Sequence, residues 1–197
     1  MRQRIIPILD NGHGVDTPGK RSPKWEDDTQ LMEWEFNRDI VRRISDLCRA
    51  SGIAYKILVP QQWDVPLAER VRRANDYAST CGMATMLLSI HANAGGGTGW
   101  ECWTSRGKTR ADEYATVLFN HIRAEFRNER MRADYSDGDP DKESDFYILK
   151  HTSMPAVLTE NWFMDKESDC RKMLDGDFRQ RIARAHFEAL RYICTKG

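Results

Sequence analysis

The sequence predicts an α/β fold: a single-domain three-layer sandwich in which a mostly parallel twisted sheet carries helices on both faces. Three observations predict it. Short apolar runs within 5–9, 86–90 and 155–158 are bounded by Gly, Asn or Pro, the mark of strands buried on both sides. Longer segments between them carry apolar residues at helical spacing. The two patterns alternate along all 197 residues, with no internal repeat and no linker, so residues 1–197 read as one domain around one core.

The elements follow in order. A strand at 4–10 leads into a loop carrying Pro18, Gly19 and Pro23, and then a helix at 29–51 that stops before Gly52. Residues 54–59 form a strand ended by Pro60. Asp64-Val65-Pro66 opens a helix that runs to Ser79, since proline suits a first helical turn. Strands at 85–92 and 100–104 flank a Gly-rich loop, and a helix covers 109–131. A short strand at 146–149, a strand ending at Thr159 and a helix over 177–194 complete the chain.

Composition narrows the function. Lys plus Arg and Asp plus Glu are both 30, so the net charge is zero, which argues against a general nucleic-acid binder. The basic groups Arg38, Arg42, Arg43 and Arg70, Arg72, Arg73 read as solvated helix faces. No apolar run approaches the ~18 residues of a membrane helix, and the one behind Met1-Arg2-Gln3-Arg4 is too short for a signal peptide. Five cysteines without a C-x-x-C pair read as reduced thiols of a protein made in the cytoplasm.

The chemistry sits at strand ends. His13 and His91 each follow a buried strand, and the 155–159 strand ends at Glu160. In parallel sheets ligands collect beyond the carboxyl ends of strands. A catalytic zinc takes three protein ligands, so the two histidines require one more. Glu26, Glu33 and Glu35 are available. The apolar stripe Phe36, Ile40, Ile44, Leu47 passes through Glu33, seven residues before Ile40, with Asn37 one turn further. A carboxylate on a buried face is costly unless paired or metal-bound. Glu35 points ~200° away. Glu33 is therefore the expected third ligand, and Glu160 is left as the base that moves a proton between water and a leaving amine. The reaction class is metal-assisted amide hydrolysis. A lone histidine after a strand is ordinarily a structural residue; the combination of two with two placed glutamates is what argues for a metal.

These positions resemble the zinc-dependent N-acetylmuramoyl-L-alanine amidases of the amidase-3 type, found in autolysins and phage endolysins. The resemblance rests on Asp10-Asn11-Gly12-His13, on Glu33 with Asn37 four residues on, on Ser89-Ile90-His91-Ala92-Asn93, on Gly99-Trp100-Glu101 and on Pro155 to Phe163. It spans residues 5–193. Asn11 replaces a common proline and Val15 a usual glycine; neither removes a ligand. The resemblance implies zinc on His13, Glu33 and His91, with Glu160 catalytic. It implies a peptidoglycan or muropeptide substrate cut between N-acetylmuramic acid and L-alanine. Asn37, Asn93 and Glu101 are then candidates to orient substrate, and Trp100, Trp103 and Trp162 to stack on sugar or peptide. His151 is a weaker candidate for substrate contact.

No wall-binding domain is evident, and without a signal peptide the enzyme is expected to reach the wall through lysis or a non-classical route, or to act on wall fragments in the cytoplasm. The acidic stretch 134–145 falls outside the signature. Its alternating acids hint at calcium, but Lys142 stands where an EF-hand loop needs glycine, so a solvated loop is expected. Competing readings are a zinc peptidase that cuts within wall peptides and an inactive wall-binding module. An intact Glu160 counts against the latter.

Overall fold

The computed structural model describes residues 3–196. Its first strand, β1 (Ile5–Asn11), is followed by helix α1 (Glu33–Ala50), strand β2 (Lys56–Ile57), helix α2 (Leu67–Thr80) and strand β3 (Ala84–Asn93). Then come β4 (Trp100–Thr104), α3 (Arg110–Glu125), β5 (Lys142–Glu143), α4 (Tyr147–His151), β6 (Ala156–Phe163), α5 (Glu167–Leu174) and α6 (Gly176–Lys196). The strands form one sheet in the order β2-β1-β3-β6-β4-β5, in which only the β4–β6 pair is antiparallel.

Strand alternation divides the interior in two. Leu9, Leu88, Ile90, Val157 and Cys102 face a large core shared with α1, α3 and α6. Ile8, Leu87, Ala156 and Leu158 face a smaller core under α2 and α4. From β1 the chain passes to β2 on one side and returns through α2 to β3 on the other. The loops leaving β1 and β3 therefore diverge, which opens a crevice at the carboxyl ends of those strands. Among the described residues no helix is long and apolar enough to cross a membrane. All five cysteines are free, and four of them are buried.

Several boundaries differ from the sequence expectation, each for an identifiable reason. Helix α1 begins at Glu33 because residues 22 and 31 are held in extended pairing: Ser22 N donates to Leu31 O (2.8 Å) and Leu31 N to Ser22 Oγ (2.9 Å). Helix α3, opened by a Thr109–Asp112 capping box, stops at Glu125. Phe126 inserts its ring beside Trp162 (4.8 Å) and Phe178 (5.1 Å), and the following backbone pairs with β4 instead. Trp100 N donates to Arg130 O and Arg132 N to Trp100 O, both 2.9 Å. A Cβ on Gly99 would lie 2.2 Å from Arg130 O, so that approach requires glycine. The strand expected at 146–149 is the helical turn α4, in which Leu149 N and Lys150 N both donate to Phe146 O. The edge strand is instead β5, inside the acidic stretch. Helix α5 carries no sequence signal strong enough to have been anticipated.

One buried histidine ties the large core together. His186 on α6 is fully buried; its Nδ1 donates to Ile182 O (2.8 Å) and its Nε2 accepts from the Thr159 hydroxyl (3.2 Å). The ring is therefore held neutral, and burial pushes its pKa down to about 4. The unfolded chain binds a proton here between its ordinary pKa and that value, and the folded chain does not. Stability is thus full above pH ~6.5 and falls as pH drops towards ~4, by about 3 kcal/mol from this group. Urea unfolding of the wild type and His186→Gln across that range is expected to show a shallower acid loss in the variant. Equal slopes would contradict the assignment.

Candidate metal centre

His13, Glu33 and His91 converge at the crevice, each offering one ligating atom, and these atoms lie within 4.8 Å of one another. Among the described residues no other group of three or more such side chains does so. Glu33 Oε1 stands 3.4 Å from His13 Nε2 and 3.2 Å from His91 Nδ1, and accepts from Ala92 N at 3.3 Å. The two imidazoles meet edge to face with centroids 5.0 Å apart.

Each residue reaches the centre by local backbone necessity. His91 lies near the carboxyl end of β3, on the face of Leu87 and Ser89. His13 follows β1 in a left-handed conformation (φ 63°) that aims its ring back over the sheet edge, and Arg38 Nη1 bonds its carbonyl at 2.8 Å. Gly12 makes room: a Cβ there would lie 2.1 Å from His91 Cε1. Glu33, the first residue of α1, comes from the opposite layer and is 1% exposed.

Burial raises the cost of charge on Glu33, but its contacts with His13 and His91 outweigh this and hold the carboxyl below the usual range. For His91, burial opposes protonation, yet Glu33, Glu160 and Asp10 together favour it and raise its pKa. Glu33 Oε2 is buried without a hydrogen-bond partner; the nearest cation, Lys20 Nζ, is 4.0 Å away. An acid-first stripe at a helix start, two imidazoles and one unsatisfied buried carboxylate oxygen form a donor set that suits a divalent metal.

Glu160 is paired in register with His91 on one side and Glu101 on the other, so the three side chains form a row across β3, β6 and β4. Its Oε2 is buried without a partner. Burial pushes its carboxyl up to about 7 despite the nearby His91, with Glu33 and Glu101 adding to the rise.

The remaining candidates are placed differently from one another. Asn37 is fully buried and donates to Gly12 O (3.0 Å), so it braces the loop under His13 and offers no surface to substrate. Asn93 donates to Glu101 Oε1 (2.8 Å). Glu101 is 4% exposed and spends both oxygens on Asn93, Trp103, Arg132 and Lys142. Although burial opposes it, Lys142 and Arg132 keep that carboxyl low and ionised. Trp100 and Trp162 are core residues at 0% exposure, bonded to Asn161 and Glu129; of the three tryptophans only Trp103 retains surface beside the row. His151 is exposed and tilted on Tyr147 (4.2 Å). In the acidic stretch Asp141 is buried rather than solvated: it accepts from Thr104 (2.6 Å), and burial with Asp139 nearby pushes its pKa up to about 8.

Two arginines read as solvated are in fact structural. Arg38 grips His13 O and Gln61 O. Arg70 is 2% exposed and uses all of its donors: Nε on Val65 O, Nη1 on Asp10 Oδ1 and Asn11 O, Nη2 on Asp64 Oδ1 and His13 O. Asp10 is completed by the Ser89 hydroxyl at 2.6 Å. The sequence signal was present in Asp10, the only acid inside the β1 run, which needs a buried partner. A cavity of about 240 Å³ lies beside this pair, lined by His13, His91, Val65, Leu67 and Ile148 among others.

Comparison with known proteins agrees with the fold. The family of N-acetylmuramoyl-L-alanine amidases matches residues 8–192. The N-acetylmuramoyl-L-alanine amidase CwlM of Bacillus licheniformis is 35% identical over 188 residues, 93% of this chain and 66% of that protein. The sporulation-specific N-acetylmuramoyl-L-alanine amidase of Bacillus subtilis is 29% identical over 187 residues, again 93% and 66%. The chain thus spans just under two thirds of either relative, 66% of its length. The crystal structure of an N-acetylmuramoyl-L-alanine amidase from Clostridium difficile 630 shares the fold with a TM-score of 0.81 at 22% identity, covering 100% of both chains.

Arg70→Met removes every donor that holds the His13 loop to Asp10 and leaves that carboxylate buried with one hydroxyl. Removing one partner of such a pair is expected to lower unfolding free energy by ~3–5 kcal/mol in urea titration. In an Asp10→Asn/Arg70→Met double variant the loss should be smaller than the sum of the two singles. A loss for Arg70→Met below ~1 kcal/mol would mean that the guanidinium is replaceable.

Proposed function

The chain belongs to the family of N-acetylmuramoyl-L-alanine amidases, and we propose that it hydrolyses the amide joining the lactyl group of N-acetylmuramic acid to L-alanine of the peptidoglycan stem peptide. We assign a zinc ion to His13, Glu33 and His91, and proton transfer to Glu160. The observation that carries this reading is the buried, unpartnered Glu33 Oε2 beside two imidazoles. Two ligand atoms on a tetrahedral zinc with bonds of ~2.0–2.1 Å stand about 3.4 Å apart. The 3.4 and 3.2 Å contacts of Glu33 Oε1 with the histidines suit that spacing.

When bound, zinc supplies Lewis acidity, polarising the scissile carbonyl and acidifying water towards a pKa of ~7. The protein does the rest. Gly12 and Asn37 hold the His13 loop and leave room for the His91 ring. Glu33, delivered across the sheet edge by α1, carries the negative charge that two neutral imidazoles lack. Glu160 stands one strand from His91, and among the described residues no donor competes for its Oε2. In its carboxylate form it accepts a proton from the attacking water there. As the C–N bond breaks it returns that proton to the nitrogen of alanine, so one water is consumed; the lactyl acid's proton passes to the new amine, leaving a lactyl carboxylate and an alanine ammonium group.

Digestion of purified peptidoglycan tests the reaction. New L-alanine amino termini are expected, with no new reducing sugars; new amino groups on other stem residues would favour a peptidase instead. A second measurement addresses the proton carrier. Glu160→Gln should retain zinc by metal analysis while turnover falls by ~10²–10⁴-fold. Near-normal turnover in that variant would remove Glu160 from the mechanism.

A further inference from the structure

The row His91–Glu160–Glu101 continues beyond Glu160 into a cluster in which one carboxylate contacts two cations. Glu101 Oε2 accepts from Arg132 Nε at 2.6 Å and from Lys142 Nζ at 2.7 Å, so one carboxylate faces two cations. Glu101 is itself buried, whereas the two cations keep 27% and 20% of their side chains exposed. Arg132 is presented by the backbone stretch that pairs with β4, and Lys142 by β5 opposite Trp103. Neither position lies in the zinc ligand set or carries the proton.

Arg132 has donors that the protein leaves unused. Its Nε is occupied by Glu101, but among the described residues neither Nη1 nor Nη2 has a hydrogen-bond partner. The guanidinium lies over the Phe163 ring at 5.1 Å, and the Lys142 ammonium stands 5.1 Å from the Trp103 ring. A planar fork fixed at its base and face, with its two outer nitrogens free, matches a carboxylate bidentately. Ordering before contact removes much of the entropy loss on binding.

We propose that Arg132, assisted by Lys142, receives a carboxylate of the stem peptide and so sets the direction in which substrate crosses the site. The proposal rests on the amidase reading. In the uncut substrate the sugars are N-acetylated and the lactyl carboxyl is tied up in the scissile amide, so free carboxylates belong to the peptide. A cationic end at β4–β5 therefore places the peptide over β6 and β4, and the glycan on the His13 side. Glu101, a substrate-orienting candidate in the sequence, becomes the anchor that positions Arg132. Adjacent strands are ~4.8 Å apart, so the cluster lies ~10 Å across the sheet from the His91 strand, within reach of the residue that follows alanine.

The test uses two soluble muramoyl-peptides that differ only in whether the residue after alanine carries a free α-carboxylate or its carboxamide. Wild type is expected to favour the carboxylate ~10–100-fold in kcat/KM. Arg132→Gln should erase that ratio. Arg132→Lys, which keeps the ion pair with Glu101 and hence the fold, should leave an intermediate one. A wild type that does not discriminate, or variants that slow both substrates alike, would overturn the proposal. Calorimetric binding of the corresponding free peptides to Glu160→Gln protein separates this from the parent reading. If neither muramoyl-peptide is cut, the amidase reading fails. Arg132-dependent preference for the carboxylate peptide would still uphold the receptor, and equal binding would overturn it.

Discussion

The His13 side of the crevice is held to the sheet by one buried guanidinium. Arg70, on α2, bonds the end of β1 through Asp10 and Asn11, the His13 loop through its carbonyl, and the turn into α2 through Val65 and Asp64. Arginine is suited to this because it stays charged and offers donors in a rigid fork. An ion pair this deep gives little net stability over apolar packing, and its contribution is to geometry. It fixes the left-handed turn at His13 relative to the sheet, which a hydrophobic contact, being non-directional, would leave free to slide. Arg38 repeats the device from the opposite layer by bonding the same carbonyl.

With the loop fixed, the sheet supplies the order of the chemistry. His91, Glu160 and Glu101 share a face because residues opposite one another on neighbouring strands point the same way. The carboxylates in and beside this row differ in charge by environment alone. Glu33 touches two imidazoles and stays ionised; Glu160 has no partner at its inner oxygen and is pushed up; Glu101 meets two cations and is held down. Three carboxylates in one cleft thus differ in charge through what each one touches, which suits the proposed roles of ligand, proton carrier and anchor.

Local pattern made much of this legible. The buried runs leading to His13, His91 and Glu160 are strands, although β3 continues to Asn93 and β6 to Phe163 rather than stopping at Thr159. The phase of Phe36, Ile40 and Ile44 places Glu33 on the inner face of α1, as found. Glu35, out of phase, lies exposed and pairs with Arg179. Where pattern misled, a distant partner was responsible. Residues 146–149 have strand-like composition, yet Ile148 and Leu149 are both buried in a helical turn against the α2 layer. Residues 126–131 continue a helical pattern, but the backbone at 130–132 pairs with Trp100 of β4. Trp100 and Trp162, apt for sugar stacking, fill the large core.

The sequence alone determines where the buried strands and the main amphipathic helices lie, because periods of two and 3.6 are properties of a short window. It also carries the family signature over nearly the whole chain. The partners of the charged groups are a different matter. Arg70 finds Asp10 sixty residues away, Arg132 and Lys142 find Glu101 across 31 and 41, and Asn37 turns from substrate candidate into a brace for Gly12 across 25. Burial of a charge is decided by whether acceptors from remote segments converge on it, and no local window contains them.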